Sequence, residues 1–273
     1  MPHLVTSDGV RLHYEEAGTG RPLVMLHGWS SSGRFFCRNV DALAGHARVL
    51  TVDLRGHGDS EDPGRGYRVA RLAKDLRDLL VGLDLHDVTV LGWSLGCPVL
   101  WSYLELFGTD RLRSAVFVEQ TPRQYYAEDW TYTHATCFDE AGLARLQTRV
   151  ETDPAAFDRR QLATTTAAEL PAELTALLLA EMAKCPPRAR TALMADHTRQ
   201  DWRDLLPHLD LPSLVLVGVR DATLDHHGAE AVADLVPGAA TVFFERSGHA
   251  PFLDEPEKFN ETVARFLTAG PDR

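Results

Sequence analysis

The chain has 273 residues, of which 39 are acidic and 28 are basic, so its formal net charge is −11. Its hydrophobic content of 44% and charged content of 25% are near the averages of globular proteins and exclude fibrous and disordered classes. Nucleic acids and anionic membranes bind concentrated basic surfaces, so the acidic balance argues against both as partners.

The cellular setting is predicted from the ends and the apolar runs of the chain. The first residues show no basic start followed by an apolar stretch, so we expect no signal peptide. Apolar runs such as 214–219 are far shorter than the roughly 20 residues of a membrane span. We therefore predict a cytoplasmic protein. Reduced thiols fit that setting and are predicted for the four widely spaced cysteines, Cys37, Cys97, Cys137 and Cys185.

The first part of the chain alternates strand-like and helix-like patterns. Apolar and polar residues alternate over 10–14, which is typical of a half-exposed strand. Residues 67–83 carry apolar side chains at helical spacing, and 95–107 is a second helix candidate. Buried strands are predicted from four short apolar runs, 22–26, 48–53, 87–91 and 114–118. Such strands alternating with helices predict a parallel sheet covered on both faces.

After residue 118 the strand pattern pauses. Helices are predicted over 143–151, 154–162, 171–184 and 187–199. Strand and helix then alternate again over 214–217, 226–235, 241–244 and 256–267. We therefore predict an α/β fold, a doubly wound and mostly parallel sheet flanked by helices, with a core comprising 1–120 and 207–273. The helical cap inserted over 121–206 is expected to cover a ligand crevice at the carboxyl ends of the strands.

A candidate nucleophile lies where a predicted strand turns into a helix. The sequence Gly92-Trp93-Ser94-Leu95-Gly96 has the G-x-S-x-G spacing of a nucleophile elbow. The turn is too tight for a Cβ at the flanking positions, which explains the glycines. It raises the Ser94 hydroxyl above the sheet, and the positive end of the helix behind it favours a tetrahedral oxyanion.

A serine at neutral pH needs a base, and His249 is the candidate. Ser247-Gly248-His249 follows the last predicted strand, where an imidazole could reach over the sheet. The chain has 12 histidines, so a histidine alone carries little weight. Position decides among them, and we interpret four others as structural or cap residues: His27, His57, His134 and His197.

Two carboxylates compete as the acid that orients the base. Asp221 follows the predicted strand 214–217, and Glu119 ends the predicted strand 114–118. Both give the chain order serine, acid, histidine, so order alone does not separate them. An oxyanion hole needs two backbone donors. We predict the N–H groups of Leu95, next to the nucleophile, and Trp29, after the strand 22–26.

Five motifs in this order resemble the α/β-hydrolase fold superfamily: His27-Gly28-Trp29, residues 53–60 (DLRGHGDS), Gly92–Gly96, Gly218 with Asp221, and Gly248-His249. The resemblance spans residues 3–268. It implies an eight-stranded, mostly parallel sheet with one antiparallel edge and a cap inserted after the sixth strand. It also implies a triad acid after the seventh strand, where Asp221 lies.

The resemblance leaves Glu119 as a second candidate. Some members, including zearalenone-type lactone hydrolases and many haloalkane dehalogenases, carry the acid after the sixth strand. Residues 111–119 of this chain resemble that arrangement. We favour Asp221 and keep Glu119 as the alternative.

A serine at the elbow implies an acyl-enzyme and its hydrolysis. Relatives that open epoxides or cleave carbon–halogen bonds carry aspartate at that position, so an ester or a lactone is the predicted substrate. The alternatives are carbon–carbon bond hydrolysis, haloperoxidase-like perhydrolysis without a cofactor, and a non-hydrolytic small-molecule-binding protein of the same fold. No cofactor and no metal are predicted, because the sequence has no metal cluster, phosphate loop or dinucleotide fingerprint.

The start of the predicted cap is dense in aromatic side chains, namely Tyr125, Tyr126, Trp130, Tyr132 and Phe138, with His134 among them. They could form a pocket wall for an aromatic or polyketide-like group. Ordinary cap packing explains them equally simply, because aromatic side chains dominate many cores. We favour packing.

Overall fold

A computed structural model describes residues 2–269, and within them eight strands form one sheet. The strands are β1 (His3–Val5), β2 (Arg11–Ala17), β3 (Pro22–Leu26), β4 (Arg48–Val52), β5 (Val88–Trp93), β6 (Leu112–Val118), β7 (Ser213–Gly218) and β8 (Ala240–Phe244). The helices are α1 (Val40–Ala44), α2 (Val69–Gly82), α3 (Gly96–Phe107), α4 (Glu140–Thr152), α5 (Pro154–Thr165), α6 (Ala172–Lys184), α7 (Pro187–His197), α8 (His226–Leu235), α9 (Pro251–Asp254) and α10 (Pro256–Thr268).

The sheet has the strand order β1-β2-β4-β3-β5-β6-β7-β8. Strand β2 pairs antiparallel with β1 and β4, and all the other pairs are parallel. The predicted eight-stranded, mostly parallel sheet is therefore confirmed. Strands β5, β6 and β7 are consecutive neighbours, so the loops after them meet at one edge of the sheet.

Alternate side chains of the buried strands pack on opposite faces. In β3, Val24 and Leu26 join the core on the face covered by α2 and α3, while Leu23 and Met25 join the core on the other face. This two-sided burial explains why β3 and β5 are apolar runs rather than alternating patterns. Helix α2 instead buries one apolar stripe, including Leu72 and Leu76, while its charged side chains other than Asp75 are only partly buried.

The insertion between β6 and β7 contains the helices α4 to α7. Asp153 accepts a hydrogen bond from the N–H of Ala156 and so caps the start of α5. A buried ion pair joins α7 to α5, with 2.5 Å between Arg190 Nη1 and Asp158 Oδ1. The segment 120–139 is mostly irregular. The division into a core of 1–120 and 207–273 and a cap of 121–206 stays a prediction.

Two whole-chain features complete the fold. No helix within residues 2–269 combines the length and the apolar composition that a membrane crossing requires. All four cysteines are free thiols, as predicted, with Cys37 exposed and the other three buried. Burial raises the pKa of the Cys185 thiol to about 12, so this thiol is held in its unreactive, protonated form.

Two buried histidines, His27 and His57, brace the loops beside the sheet edge. The Nε2 atom of His27 accepts the N–H of Leu54 at 3.0 Å, and that of His57 accepts the N–H of Ser30 at 3.3 Å. Both rings are therefore neutral acceptors. Burial lowers the pKa of His27 to about 4 and the pKa of His57 to about 3, which confirms their interpretation as structural residues.

We expect the free energy of unfolding to fall as the pH drops from about 6.5 towards 4. Below pH 6.5 the imidazoles of His27 and His57 bind protons in the unfolded chain but stay neutral in the folded protein, so protonation favours unfolding. Each ring contributes at most about 1.4 kcal/mol per pH unit. Urea unfolding at several pH values measures this slope. His57→Gln should reduce it, and the exposed His46 provides a surface control, His46→Gln. An unchanged slope in His57→Gln would contradict the prediction.

Candidate active site

The turn between β5 and α3 places Ser94 at the sheet edge in a left-handed conformation, with φ of 50°. Its N–H donates to the carbonyl of Val118 at 2.9 Å, which ties the turn to β6. A Cβ on Gly92 would lie 2.5 Å from the carbonyl of Gly96, and a Cβ on Gly96 would lie 2.5 Å from the carbonyl oxygen of Leu26. The glycines are therefore required by backbone approach, as the sequence predicted.

We expect Gly96→Ala to lower the free energy of unfolding by about 1–3 kcal/mol or more, because the new methyl group meets rigid backbone of β3. Chemical denaturation measures the loss. Gly45→Ala is the matched control, since Gly45 has φ of −69° and its Cβ would approach no atom closer than 3.5 Å. The control should be neutral or slightly stabilising. Equal effects of the two substitutions would show that backbone approach at Gly96 is unimportant.

The loops after β7 and β8 bring Asp221 and His249 together. The Oδ2 atom of Asp221 lies 2.7 Å from Nδ1 of His249. Its Oδ1 atom accepts the backbone N–H groups of Thr223 and Leu224 at 2.6 and 3.2 Å. Burial works to raise the pKa of Asp221, but His249 and these hydrogen bonds outweigh it and hold the pKa below its usual value. Asp221 is therefore an ionised carboxylate fixed against the imidazole.

The backbone of His249 is anchored to the strand that carries the serine. The indole N–H of Trp93 donates to the carbonyl oxygen of His249 at 2.7 Å. Because Nδ1 of His249 is engaged by Asp221, Nε2 is the ring nitrogen available to a second partner. Ser94 and His249 line the same cavity. The structure thus gathers three of the predicted site residues at one sheet edge.

Glu119, the alternative acid, lies beside the same pair. It follows β6, has φ of 49° and is fully buried. Its Oε1 atom accepts the backbone N–H of Gly218. A carboxyl oxygen of Glu119, a carboxylate oxygen of Asp221 and a ring nitrogen of His249 all lie within 4.8 Å of one another. Burial, together with the adjacent charge of Asp221, raises the pKa of Glu119 well above its usual value. The imidazole is hydrogen-bonded to Asp221, whereas within residues 2–269 the side chain of Glu119 is hydrogen-bonded only to Gly218.

The two backbone amides predicted for an oxyanion hole are both at this edge. Leu95 directly precedes α3, and Trp29 directly follows the loop after β3. Within residues 2–269, neither N–H donates to another group of the chain. The side chain of Trp29 is anchored separately, because its indole N–H donates to the carbonyl oxygen of Arg190 in α7 at 2.9 Å.

The cavity that Ser94 and His249 share has a volume of about 370 Å³, within the range of small-molecule sites. Its walls come from the sheet edge and from the insertion. The apolar side chains on these walls include Trp29, Leu146, Phe157, Met182 and Met194, and the polar and charged ones include Gln124, His134, Arg145, Arg149, Arg160 and His197.

Two histidines of the cavity wall, His134 and His197, are interpreted from the sequence as structural or cap residues. Nδ1 of His134 accepts the N–H groups of Thr136 and Cys137 at 3.1 and 3.0 Å, so the neutral ring carries its proton on Nε2. Nε2 of His197 lies 2.7 Å from Nε2 of Gln124. Burial, with a further contribution from His249, lowers the pKa of His134 to about 4, and burial lowers that of His197 to about 3. Both interpretations missed the cavity, since no sequence motif marks these positions.

The aromatic stretch contributes little to the cavity. Of its members only His134 and Phe138 line the wall. The indole N–H of Trp130 donates to the carbonyl oxygens of Arg123 and Tyr132, which fastens the segment to itself. The favoured interpretation as packing agrees with this arrangement.

Within the described residues 2–269, three side-chain groups could offer ligands to a cation, and each has another structural role. Glu119, Asp221 and His249 form one group. In the second, which also contains His13 and Asp59, both oxygens of Asp53 accept backbone N–H groups. The third consists of Asp225, His226 and His227, where Asp225 caps α8. Hydrogen bonding therefore accounts for the clustering of all three.

Comparison with known proteins agrees with this fold. Residues 21–256 match the family model described as alpha/beta hydrolase fold, and the chain belongs to that family. It is 31% identical to the non-heme chloroperoxidase CPO-A1 of Kitasatospora aureofaciens over 98% of this chain and 99% of the relative. It is 29% identical to a pimeloyl-[acyl-carrier protein] methyl ester esterase of Xanthomonas oryzae pv. oryzae over 95% of this chain and all of the relative.

A solved structure is also similar. An esterase from Exiguobacterium antarcticum superimposes with a TM-score of 0.93 and 26% identity, and the match covers 98% of this chain and 99% of that one. Esterases thus occur among both the sequence relatives and the structural neighbours. These similarities support a hydrolase.

Proposed function

We propose that the protein is a serine hydrolase that cleaves carboxylic esters or lactones through an acyl-enzyme. In this proposal Ser94 is the nucleophile, His249 the general base and Asp221 the acid that orients the base. The 2.7 Å contact between Asp221 and His249, in the cavity that also contains Ser94, carries the proposal. The carboxylate fixes the tautomer with the proton on Nδ1, which leaves Nε2 as the base.

The proposed reaction has two halves. His249 Nε2 accepts the Ser94 hydroxyl proton as Oγ bonds to the ester carbonyl carbon, and the carbonyl oxygen becomes an oxyanion. The N–H groups of Leu95 and Trp29 donate to that oxyanion, and the α3 N-terminus adds a favourable field. The ester C–O bond then breaks, and the alkoxide leaves with the proton from His249. Water repeats the sequence on the acyl-enzyme, which releases the carboxylic acid and restores Ser94.

The similar proteins favour an ester as substrate. One sequence relative is a methyl ester esterase and one structural neighbour is an esterase. A lactone would present the same carbonyl and differ only because its alcohol stays attached to the acyl group. The mixed walls of the cavity, apolar at Phe157 and Met182 and polar at His134, suit an acyl group with one polar substituent.

A panel of substrates tests the proposal. The purified protein is incubated with p-nitrophenyl acetate, longer acyl esters and macrolactones, and with a fluorophosphonate that labels activated serines. We expect ester hydrolysis and labelling of one serine. A folded sample that shows neither signal would contradict the proposal and favour a small-molecule-binding protein.

A second candidate function is perhydrolysis, and the 31% identity to a non-heme chloroperoxidase favours it. Hydrogen peroxide would replace water in the second half-reaction, so the acyl-enzyme would yield a peracid and free Ser94. Peracid formation from p-nitrophenyl acetate and hydrogen peroxide, with release of p-nitrophenol in the first half-reaction, measures this activity. A peracid rate far above the rate of ester hydrolysis would make perhydrolysis the principal function.

A further inference from the structure

Two buried carboxyl groups lie side by side behind the base. Strands β6 and β7 pair in parallel register, with Val118 opposite Leu216, so the residues that follow them come to one edge. Glu119 is fully buried, and the side chain of Asp221 is 0% exposed. One carboxyl oxygen of each lies within 4.8 Å of the other.

The hydrogen bonds of Glu119 and Asp221 leave one buried carboxyl oxygen without a partner, which indicates where a proton would reside. Both carboxylate oxygens of Asp221 accept hydrogen bonds: one from His249 and the other from two backbone N–H groups. Glu119 Oε1 accepts the N–H of Gly218, but its buried Oε2 has no donor among residues 2–269. Two ionised carboxylates in contact would repel strongly in such a buried place. A proton on Glu119 Oε2 would remove the repulsion and provide the missing hydrogen bond.

The other titratable groups around Glu119 and Asp221 do not supply a positive charge. The thiol of Cys97, on α3, has its pKa raised by burial and by Glu119 itself. The imidazole of His134, from the insertion, has its pKa lowered to about 4 by burial and by His249. Glu119 forms no ion pair with arginine or lysine in the described part of the chain.

We propose that Glu119 is an un-ionised positioning residue that donates a hydrogen bond from its carboxyl group to the Asp221 carboxylate. This role rests on the proposed function, because it adds a fourth residue to the proposed triad of Ser94, His249 and Asp221. Glu119 does not touch the substrate or the base. It holds Asp221 in the orientation that the imidazole needs and stabilises the charge of that carboxylate.

The backbone at Glu119 supports a specific role. A glutamate with φ of 49° occupies a region that L-residues with a Cβ rarely adopt. The raised pKa of Glu119, caused first by burial and next by Asp221, agrees with an un-ionised group at neutral pH.

Infrared difference spectroscopy tests the protonation state without any substrate. The spectrum of the Glu119→Gln variant is subtracted from that of the unmodified protein at pH 8. We expect the carbonyl stretch of an un-ionised carboxylic acid in the difference. Glu105→Gln, which changes an exposed glutamate of α3, is the matched control and should show only an ionised carboxylate. Absence of the carboxylic acid band would overturn the proposal.

Kinetics with two substitutions tests the positioning role. A glutamine can accept from Gly218 with its oxygen and donate to Asp221 with its amide, so Glu119→Gln should retain kcat/KM for an ester within about threefold. Glu119→Ala loses the donor to a charged group and should lose about 10- to 100-fold. The acid limb of its pH profile should also move to higher pH, because an unsupported Asp221 carboxylate stabilises the imidazolium more. In Glu119→Gln the acid limb of the pH profile should lie where it does in the unmodified protein.

The outcomes separate this proposal from the proposed function. A large loss in Glu119→Gln, comparable to that of an Asp221 variant, would make Glu119 an ionised acid and overturn the proposal. Full activity and an unshifted pH profile in Glu119→Ala would also overturn it. If the unmodified protein hydrolyses no ester, the proposed function fails, while the infrared band still decides the protonation of Glu119.

Discussion

Replacement of Ser94 by alanine is expected to lower kcat for ester hydrolysis by about 10⁶-fold, as loss of the serine does in subtilisin. Alanine has no Oγ, so no acyl-enzyme forms and His249 has no proton to accept. The remaining rate would come from binding and from the backbone amides of Leu95 and Trp29. Steady-state assays with p-nitrophenyl acetate measure kcat, and fluorophosphonate labelling should disappear in parallel.

Ser102→Ala is the matched control for this substitution. Ser102 is a buried serine on α3 and lies outside the cavity, so its replacement should leave labelling and kcat close to those of the unmodified protein. A Ser94→Ala variant that keeps its fold, its activity and its labelling would falsify the assignment of the nucleophile.

Asp221→Asn is expected to cost about 10⁴-fold in kcat, by analogy with the same change in trypsin. An asparagine cannot carry the negative charge that stabilises the imidazolium, and its amide allows the wrong tautomer of His249. Stopped assays with long incubation measure so low a rate. The free energy of unfolding of each variant shows whether the loss is chemical rather than structural.

Asp225→Asn is the matched control for Asp221→Asn. Asp225 lies four positions further along the same loop and caps α8 through the N–H of His227. Its replacement should cost a few tenths of a kcal/mol in stability at most, because asparagine is also a good cap, and should leave kcat unchanged. A loss in Asp225→Asn equal to that in Asp221→Asn would point to general disturbance of the loop.

The sheet could be predicted closely from local pattern. The predicted strand 22–26 coincides with β3, and the predicted helix 226–235 coincides with α8. Both are unambiguous because fully buried strands form short apolar runs, while α8 shows helical spacing between turn residues. The boundaries of α4 were less accurate, 143–151 against Glu140–Thr152, since its first turn is polar and capped by Asp139.

The meeting of Ser94 and His249 in one cavity was also predictable, because each residue lies in a local motif. The acid was not, because Asp221 and Glu119 follow neighbouring strands whose ends meet at the same edge. Only three-dimensional contact distinguishes the carboxylate that touches the imidazole from the one behind it. The walls of the cavity were beyond prediction for a similar reason. Residues such as Gln124 and His197 reach it through packing of the insertion, which no short-range pattern encodes.

The hydrogen bond from the Trp29 indole N–H to the Arg190 carbonyl oxygen joins α7 of the insertion to the residue whose backbone N–H is proposed for the oxyanion hole. Any outward swing of α7 must either rupture this bond or drag Trp29 along with it. We therefore expect the proposed oxyanion hole to be complete only while α7 keeps this position. A movement of α7 that admits or releases a ligand would then interrupt cleavage of the ester bond.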